Sequence, residues 1–350
     1  MLRDNALNGA VVGKREDLQY LSGYTGSDAV LVFSVRRKRC WLMTDQRYTE
    51  EAMRSAPGFE VVVWRGNFAE SVGALCKKNN LNAVGHSPAS MTVSFFTALE
   101  NKGKKGTRWA DIDPILSELR AVKSQSEVAA VKKALACAES AFATARKRWK
   151  IGMTEKEVKD DLEWEMRRHG AVDAAFETIV AVGPNASLPH AHAGERKLAA
   201  GKMLLVDFGA RVGFYNSDLT RTLWPEHAPK VWLTRYRAVL EAQLAAIAMI
   251  APGVAENEPD ATARKILTRR NLNQYFTHGL GHGVGLAIHE APRLGMRAAN
   301  KLVAGNITTV EPGIYFPGSG GIRIEDMILV TDQGGEVLSS LPKDADSIIL

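Results

Sequence analysis

Apolar residues in roughly the first 110 positions gather in short runs of strand length, with helical spacing confined to the stretches between them. AVLVFSV and CWLMTD flank a basic turn at 36–39 and predict a hairpin, FEVVVW predicts a third strand and NAVGH a fourth. A helical stretch around 68–77 separates the last two, so this part reads as a mixed sheet with flanking helices. After Pro114 the pattern changes. Ser124 and Glu127 have the spacing of a capping box, and Val128, Val131, Leu135 and Ala138 follow at helical intervals. A second box at Thr154 and Glu157 opens a helix with Val158, Leu162 and Met166 on one face and Gly170 as its C-terminal cap. Strands are predicted at 178–182, 203–208 and 213–218, helices at 231–250 and 259–272, and further strands at 307–311, 322–330 and 336–339. That alternation predicts an α+β domain whose antiparallel sheet is covered on one side. The change of pattern divides the chain into residues 1–118 and 119–350.

Bulk properties narrow the class. The chain has 350 residues, 45% hydrophobic and 24% charged, which suits two soluble globular domains. No apolar run approaches the roughly 20 residues of a bilayer-spanning helix, and the first residues lack the apolar stretch of a secretory leader. Cys40, Cys76 and Cys137 are few and far apart, with no CxxC pair, which predicts a reduced, cytoplasmic setting and no thiolate metal site. A net charge of +6 is modest for this length. The basic runs at 36–39 and 102–105 lack interleaved aromatics, so they read as solvated turns, and nucleic acid is not an expected partner.

Candidate chemistry concentrates in the second half, at Asp207, Asp218, His282, Glu311 and Glu325. Asp207 and Asp218 are separated by Gly209 and Gly213, which let the chain turn back and place both carboxylates on one sheet face. Glu311 and Glu325 repeat the arrangement across Pro312-Gly313 and the run 318–321. Arg323, two residues before Glu325, shares its face. Four converging carboxylates repel and resist burial unless cations accompany them, so their convergence implies bound metal. Oxygen donors with one imidazole favour manganese, cobalt or iron-type ions over a thiolate zinc site. Two such ions roughly 3.5–4 Å apart make a bridging hydroxide available near neutral pH. His282 lies between Gly281 and Gly283, where small neighbours permit close backbone approach. His190 and His289 stand out among the remaining loop histidines more than His192 and His278 do.

Together these segments resemble the proline-directed metallopeptidases of the pita-bread fold, which include Xaa-Pro aminopeptidase (aminopeptidase P) and Xaa-Pro dipeptidase (prolidase). LSGYTGSDAVLVF and TDQRYTEEA are similar to the creatinase-like N-terminal domain. FETIVAVGPNASLPHA, VDFGARVGFYNSDLTRT, HGLGHGVGLAIHEAP, VEPGIY and GIRIEDM are similar, in order, to the catalytic motifs. The resemblance implies a creatinase-like domain over 1–118 and a pita-bread catalytic domain over 119–350, with a curved antiparallel sheet covered by helices. It further implies two divalent ions, most readily manganese with cobalt or zinc possible, held by Asp207, Asp218, His282, Glu311 and Glu325. Glu325 would bridge the pair, and Glu311 would carry the proton between water and the leaving proline nitrogen. His190 and His289 match substrate-facing histidines, His289 placed to stabilise an oxyanion, while His278 matches a further pocket histidine. Arg323 would orient Glu325 or nearby carboxylates. Homodimerisation is implied on the same ground, with proline-containing peptides as partners. Two departures are visible: the first strand lies close to the start, as if the family's opening helix were shortened, and Asn216 replaces a small residue, an expected neutral change.

The expected activity is a metal-dependent aminopeptidase removing the residue before a proline. A dipeptidase restricted to Xaa-Pro stands close behind it, and its need for a carboxylate clamp could be met by Arg47 of a partner subunit, unless Arg47 only forms a salt bridge within the first domain. A metal-free pita-bread binding protein and a creatinase are more distant alternatives.

Overall fold

Near-continuous apolar strands fold where both faces of a sheet can be covered, and the first part of the chain does this. The computed structural model describes residue 2 and residues 4–350, and the chain divides into units Met1–Arg120 and Ala121–Leu350. In the first unit the strands are β1 (Gly9–Val12), β2 (Ala29–Ser34), β3 (Arg39–Thr44), β4 (Glu60–Val63), β5 (Ala83–His86) and β6 (Arg108–Asp111). They form one sheet in the order β4-β3-β2-β1-β5-β6. The expected hairpin is present, with Ala29 opposite Thr44 and Ser34 opposite Arg39. Helices α1 (Arg15–Ser22), α2 (Thr49–Ser55), α3 (Phe68–Lys78), α4 (Val93–Lys102) and α5 (Asp113–Ala121) accompany the strands. Ala10, Val12, Leu31 and Leu42 enter one apolar cluster, whereas Val11, Val30, Val32, Trp41 and Met43 enter another. β1 and β6 were not anticipated, because GAVV and RWAD are too short and too mixed to signal alone.

The second unit opens on the two capped helices α6 (Gln125–Ala145) and α7 (Glu155–Arg168). The Ser124 hydroxyl accepts from the Glu127 amide at 3.3 Å, and the Glu127 carboxylate accepts from the Ser124 amide at 2.9 Å. Thr154 and Glu157 repeat the exchange at 3.1 and 2.7 Å. Gly170 follows the cap of α7 with φ 104°, a left-handed conformation that suits glycine.

Two further helices, α8 (Lys230–Ile247) and α9 (Asn257–Arg269), lie among strands β7 (Asp173–Ala174), β8 (Ile179–Val182), β9 (Leu204–Phe208), β10 (Ala210–Val212), β11 (Tyr215–Asn216) and β12 (Leu219–Leu223). The remaining strands are β13 (Gly281–Gly283), β14 (Glu290–Leu294), β15 (Ile307–Val310), β16 (Gly313–Phe316), β17 (Gly320–Arg323), β18 (Asp326–Thr331) and β19 (Gly334–Val337). Every ladder among them is antiparallel, in the orders β12-β9-β8, β11-β10-β7, β14-β13-β15-β18-β19 and β16-β17. Helices cover both faces rather than one. Ala181 and Leu205 pack with Val239 and Ala263 of α8 and α9, while Val180 and Val206 pack with Leu135 and Leu162 of α6 and α7.

Two expected strands differ from the observed ones. Residues 213–218 do not pair with β9; β10 and β11 make a small intervening hairpin, and β12 is the true partner. Asp207 stands opposite Thr220, so Asp218, two residues earlier, still points to the same face. The expected strand 322–330 is likewise broken into β17 and β18 at Ile324 and Glu325.

Backbone approach is closest at Gly209, where an added Cβ would lie 1.9 Å from the Ser217 carbonyl oxygen. Gly209→Ala must therefore push apart the segments that carry Asp207 and Asp218. Thermal unfolding should show a loss of about 1–3 kcal/mol, the usual scale of overpacking, and calorimetric titration should show weaker manganese binding. Wild-type values in both would contradict the close approach.

Candidate metal centre

Each candidate donor sits where a strand ends or is interrupted, so its side chain leaves the ladder. Asp207 lies near the end of β9, Asp218 just before β12, His282 within β13 and Glu311 directly after β15. Val310 faces Asp326 on one side of the interruption and Gly313 faces Arg323 on the other. A single register thus runs through the break and sets Glu311 across from Glu325. All five line one cavity of about 970 Å³, together with His190, His278, His289 and Arg323. Arg47 is not among the lining residues; it belongs to the first unit, where its guanidinium lies 2.6 Å from Asp45 and 3.3 Å from Asp28.

Single oxygen or nitrogen atoms of Asp218, His282 and Glu325 all fall within 4.8 Å of one another. Nε2 of His282 lies 3.5 Å from Oδ2 of Asp218 and 3.5 Å from Oε1 of Glu311. Asp207 joins from the other side through Arg323, whose Nη2 donates to Oδ2 at 2.5 Å. The same guanidinium donates through Nη1 to the Tyr315 hydroxyl at 2.8 Å and through Nε to Thr220 Oγ1 at 3.1 Å. Thr220 in turn donates to Glu325 Oε2 at 2.7 Å. Arg323 therefore orients two acids, one directly and one through a threonine. Tyr315 continues the chain to Nε2 of His278 at 2.9 Å.

Burial dominates the electrostatics. Asp218 and Glu325 are only 4% and 1% exposed, and both pKa values rise well above the ordinary carboxylate range, first from desolvation and then from neighbouring carboxylates. Glu311 is pushed up to about 8, chiefly by burial, against the pull of Arg323. Burial also lowers His282 and His278 to about 4, keeping both rings neutral. Arg323 stays protonated: desolvation opposes its charge, but Tyr315, Asp207, Glu311 and Glu325 outweigh it.

These features fit divalent cations. Nδ1 of His282 lies 3.2 Å from the Gly283 carbonyl oxygen, which requires a proton there. In a neutral ring Nε2 is then a bare lone pair, and it faces one carboxyl oxygen each of Asp218 and Glu311. Oδ1 of Asp207 is buried with no hydrogen-bond partner among the described residues. Lone pairs converging on lone pairs are stabilised by a cation between them, and mixed oxygen and imidazole donors suit a hard or borderline ion.

A second polar layer fixes the backbone behind the acids. Arg221 donates to the carbonyls of Thr220 and Glu325, and its Nη2 lies 2.8 Å from Asp326. Gln243 donates to the Val310 carbonyl at 3.1 Å and to Asp326 at 3.1 Å, and Lys343 also bonds Asp326. The main chain next to both glutamates is thereby tied to one buried aspartate.

Comparison with known proteins fits this geometry. Residues 129–332 match Metallopeptidase family M24, and residues 1–122 match the Creatinase/Prolidase N-terminal domain. The chain belongs to metallopeptidase family M24. A relative from Pyrococcus furiosus named Xaa-Pro dipeptidase is 36% identical over 72% of this chain and 73% of its own length. A solved Xaa-Pro dipeptidase from Bacillus anthracis superposes with a TM-score of 0.94 at 35% identity, covering 100% of this chain and 97% of that one. A solved X-Pro aminopeptidase from Thermotoga maritima gives 0.89 at 32% identity, with 97% of each chain covered. The chain is thus an M24 peptidase with the pita-bread architecture and a creatinase-type first domain. The family implies divalent metal, and among the described residues no helix is long and apolar enough to cross a membrane.

Four participants escaped sequence reasoning. Tyr315 was legible in principle, since Glu311, Gly313 and Tyr315 alternate along one strand face. Thr220 carries no local signal, and neither does Arg293, an exposed residue of the cavity lining. Asn216, expected to be neutral, donates at 3.0 and 2.9 Å to the carbonyls of Gly285 and Leu286, on the loop that leads to His289.

In the metal-free protein the raised carboxylates bind protons that an unfolded chain would release. Stability therefore falls as pH rises from the ordinary carboxylate range toward the folded values. Neutral His278 and His282 act oppositely, but only below about 6.5, the ordinary histidine value. Between about pH 6.5 and 8 the carboxylates act alone, so with chelator the melting temperature should fall across this window, while added manganese should abolish the slope. A chelated protein whose melting temperature is flat there would mean that the acids are not buried together.

Proposed function

We propose that this M24 peptidase is a metal-dependent exopeptidase cleaving the bond between an N-terminal residue and a following proline, with Xaa-Pro dipeptides as preferred substrates. This reverses the narrow order expected from sequence, which put the aminopeptidase first. The observation that carries the reading is a cavity lined both by the five candidate donors and by Arg293. Arg293 is exposed and has no carboxylate partner among the described residues. It is close enough to His289 to help lower that ring's pKa, after burial. A carboxylate one residue beyond the scissile bond is the natural partner for such a guanidinium. Similarity to dipeptidases at TM-scores up to 0.94 supports the same choice.

Asp207, Asp218, His282, Glu311 and Glu325 would hold two divalent ions, with manganese the best match to the donor set and cobalt or zinc next. When bound, such ions acidify water and polarise a carbonyl oxygen. The Xaa-Pro bond is a tertiary amide with no N–H, so recognition rests on the carbonyl, the terminal groups and the ring. Glu311 takes the proton of the attacking water and delivers it to the proline nitrogen, which cannot leave as an amide anion. His289, whose ring lies 4.2 Å from that of His282, donates a hydrogen bond to the developing oxyanion. His190 faces the substrate from another loop. Arg323 holds Asp207 and, through Thr220, Glu325 in place throughout.

The aminopeptidase is retained as a second reading because the Thermotoga maritima protein of that name is nearly as similar. Hydrolysis of an Xaa-Pro dipeptide should exceed that of Xaa-Pro-Xaa-Xaa in kcat/KM with manganese present, and Arg293→Ala should raise KM for the dipeptide selectively. The opposite ranking would restore the aminopeptidase. His289→Ala should retain its metal, measured by elemental analysis, and lose about 10²–10³-fold in kcat, the scale of one oxyanion donor. Normal turnover in that variant would remove His289 from the mechanism. Asp218→Ala and Glu325→Ala should bind neither ion and show no activity, and a wild-type chain that never takes up metal would favour the binding-protein alternative.

A further inference from the structure

Glu155, the first residue of α7, is fully buried, and no lysine, arginine or histidine pairs with it among the described residues. Its oxygens are satisfied instead by amides from one loop. Oε1 accepts from the Val182 amide at 2.7 Å and from Nδ2 of Asn185 at 2.9 Å. Oε2 accepts from Nδ2 of Asn185 at 3.0 Å and from the Gly194 amide at 3.0 Å. Val182 and Gly194 flank the segment 183–193, which carries His190 at the cavity. The helix has no need of this carboxylate, because Thr154 and Glu157 already cap it.

His190 itself makes no hydrogen bond among the described residues and is exposed, so its place is set by its backbone. That backbone is held at the middle by Arg323, whose Nη1 lies 3.4 Å from the Pro189 carbonyl oxygen. Nearer its start it packs backbone to backbone on β17: a Cβ at Gly321 would lie 2.1 Å from the Ala186 carbonyl oxygen. One buried carboxylate joins the two ends of the loop, and the metal-site arginine supports its centre.

We propose that Glu155 is the positioning residue for His190, closing the 183–193 segment so that the imidazole is presented to bound substrate. The kinetic part of the test rests on the peptidase reading above. Glu155→Gln preserves the shape but turns an N–H toward one of the amides. It should bind manganese with wild-type stoichiometry and lose on the order of 10–100-fold in kcat/KM, the scale on which small misplacements of reacting groups act. In a cycle with His190→Ala the double variant should be no slower than the slower single variant, because both remove the same presentation. Asn185→Ala, which deletes one tether and leaves the carboxylate in place, should show a smaller loss with the same non-additivity, and it decides the matter if Glu155→Gln does not fold. Additive losses, or wild-type kinetics in the substituted chains, would overturn the proposal. Labelling with diethylpyrocarbonate, read by mass spectrometry against exposed His227, needs no turnover. Tether loss should change the His190 rate severalfold and leave His227 alone, whereas unchanged rates at both would overturn the proposal. A wild-type chain inactive on Xaa-Pro peptides would sink the peptidase reading and leave this labelling to judge the tether.

Discussion

Four carboxylates crowd beside one buried guanidinium, and the second unit is organised around that imbalance. Asp207, Asp218, Glu311 and Glu325 are each drawn from a different strand end, and the Arg323 guanidinium lies within 4.0 Å of Asp207 and Glu311. In a medium this dry, like charges a few ångströms apart repel by several kcal/mol each even at a generous effective dielectric. Desolvation then adds to repulsion, which is why burial heads the causes that raise Asp218, Glu311 and Glu325. Protons can relieve this, or cations can. Only the second outcome leaves carboxylates able to act as bases at neutral pH.

Holding such a cluster requires backbone that cannot relax, and the structure supplies it from two sides. On the cavity side, Arg323, Thr220 and Tyr315 form a hydrogen-bonded brace across three strands. On the far side, Arg221, Gln243 and Lys343 converge on Asp326 and on the carbonyls beside the two glutamates. Both layers are extensively hydrogen-bonded, and buried polar networks favour one arrangement over its alternatives. The close glycine approach at Gly209 belongs to the same logic, since it lets the Asp207 and Asp218 segments run nearly in backbone contact.

Much of this was legible in the residues. Period-two alternation placed Arg323 and Glu325 on one face, and the Gly-rich returns placed each pair of acids on one sheet face, because strand geometry is local and regular. Capping boxes located α6 and α7 to the residue, again through local chemistry. What could not be read was set by long-range pairing. The break at Ile324 and Glu325 exists because β17 takes β16 as its partner while β18 takes β15, a choice that no window of sequence contains. Asn216 looked neutral because its partners, Gly285 and Leu286, lie about seventy residues away. The short strands β1 and β6 form for a similar reason, as each is completed by neighbours rather than by its own composition. Arg293 was passed over because an exposed arginine is ordinary until a cavity is known to surround it.

Desolvation serves two opposite ends in this site. It raises the acids, so that they hold protons while no cation is present, and it lowers His282 to about 4, so that the ring is neutral throughout the physiological range. On the proposed reading of this cluster as a metal centre, cations entering near neutral pH would displace protons from carboxylates alone, with the imidazole already neutral. Had His282 been exposed, its ordinary value near 6.5 would have placed a competing proton on the ring within the working range. The hydrogen bond to the Gly283 carbonyl settles which nitrogen remains free, and glycine on either side lets the strand come close enough for that nitrogen to reach both Asp218 and Glu311. Burial and a single backbone carbonyl together determine the charge, the tautomer and the direction of His282.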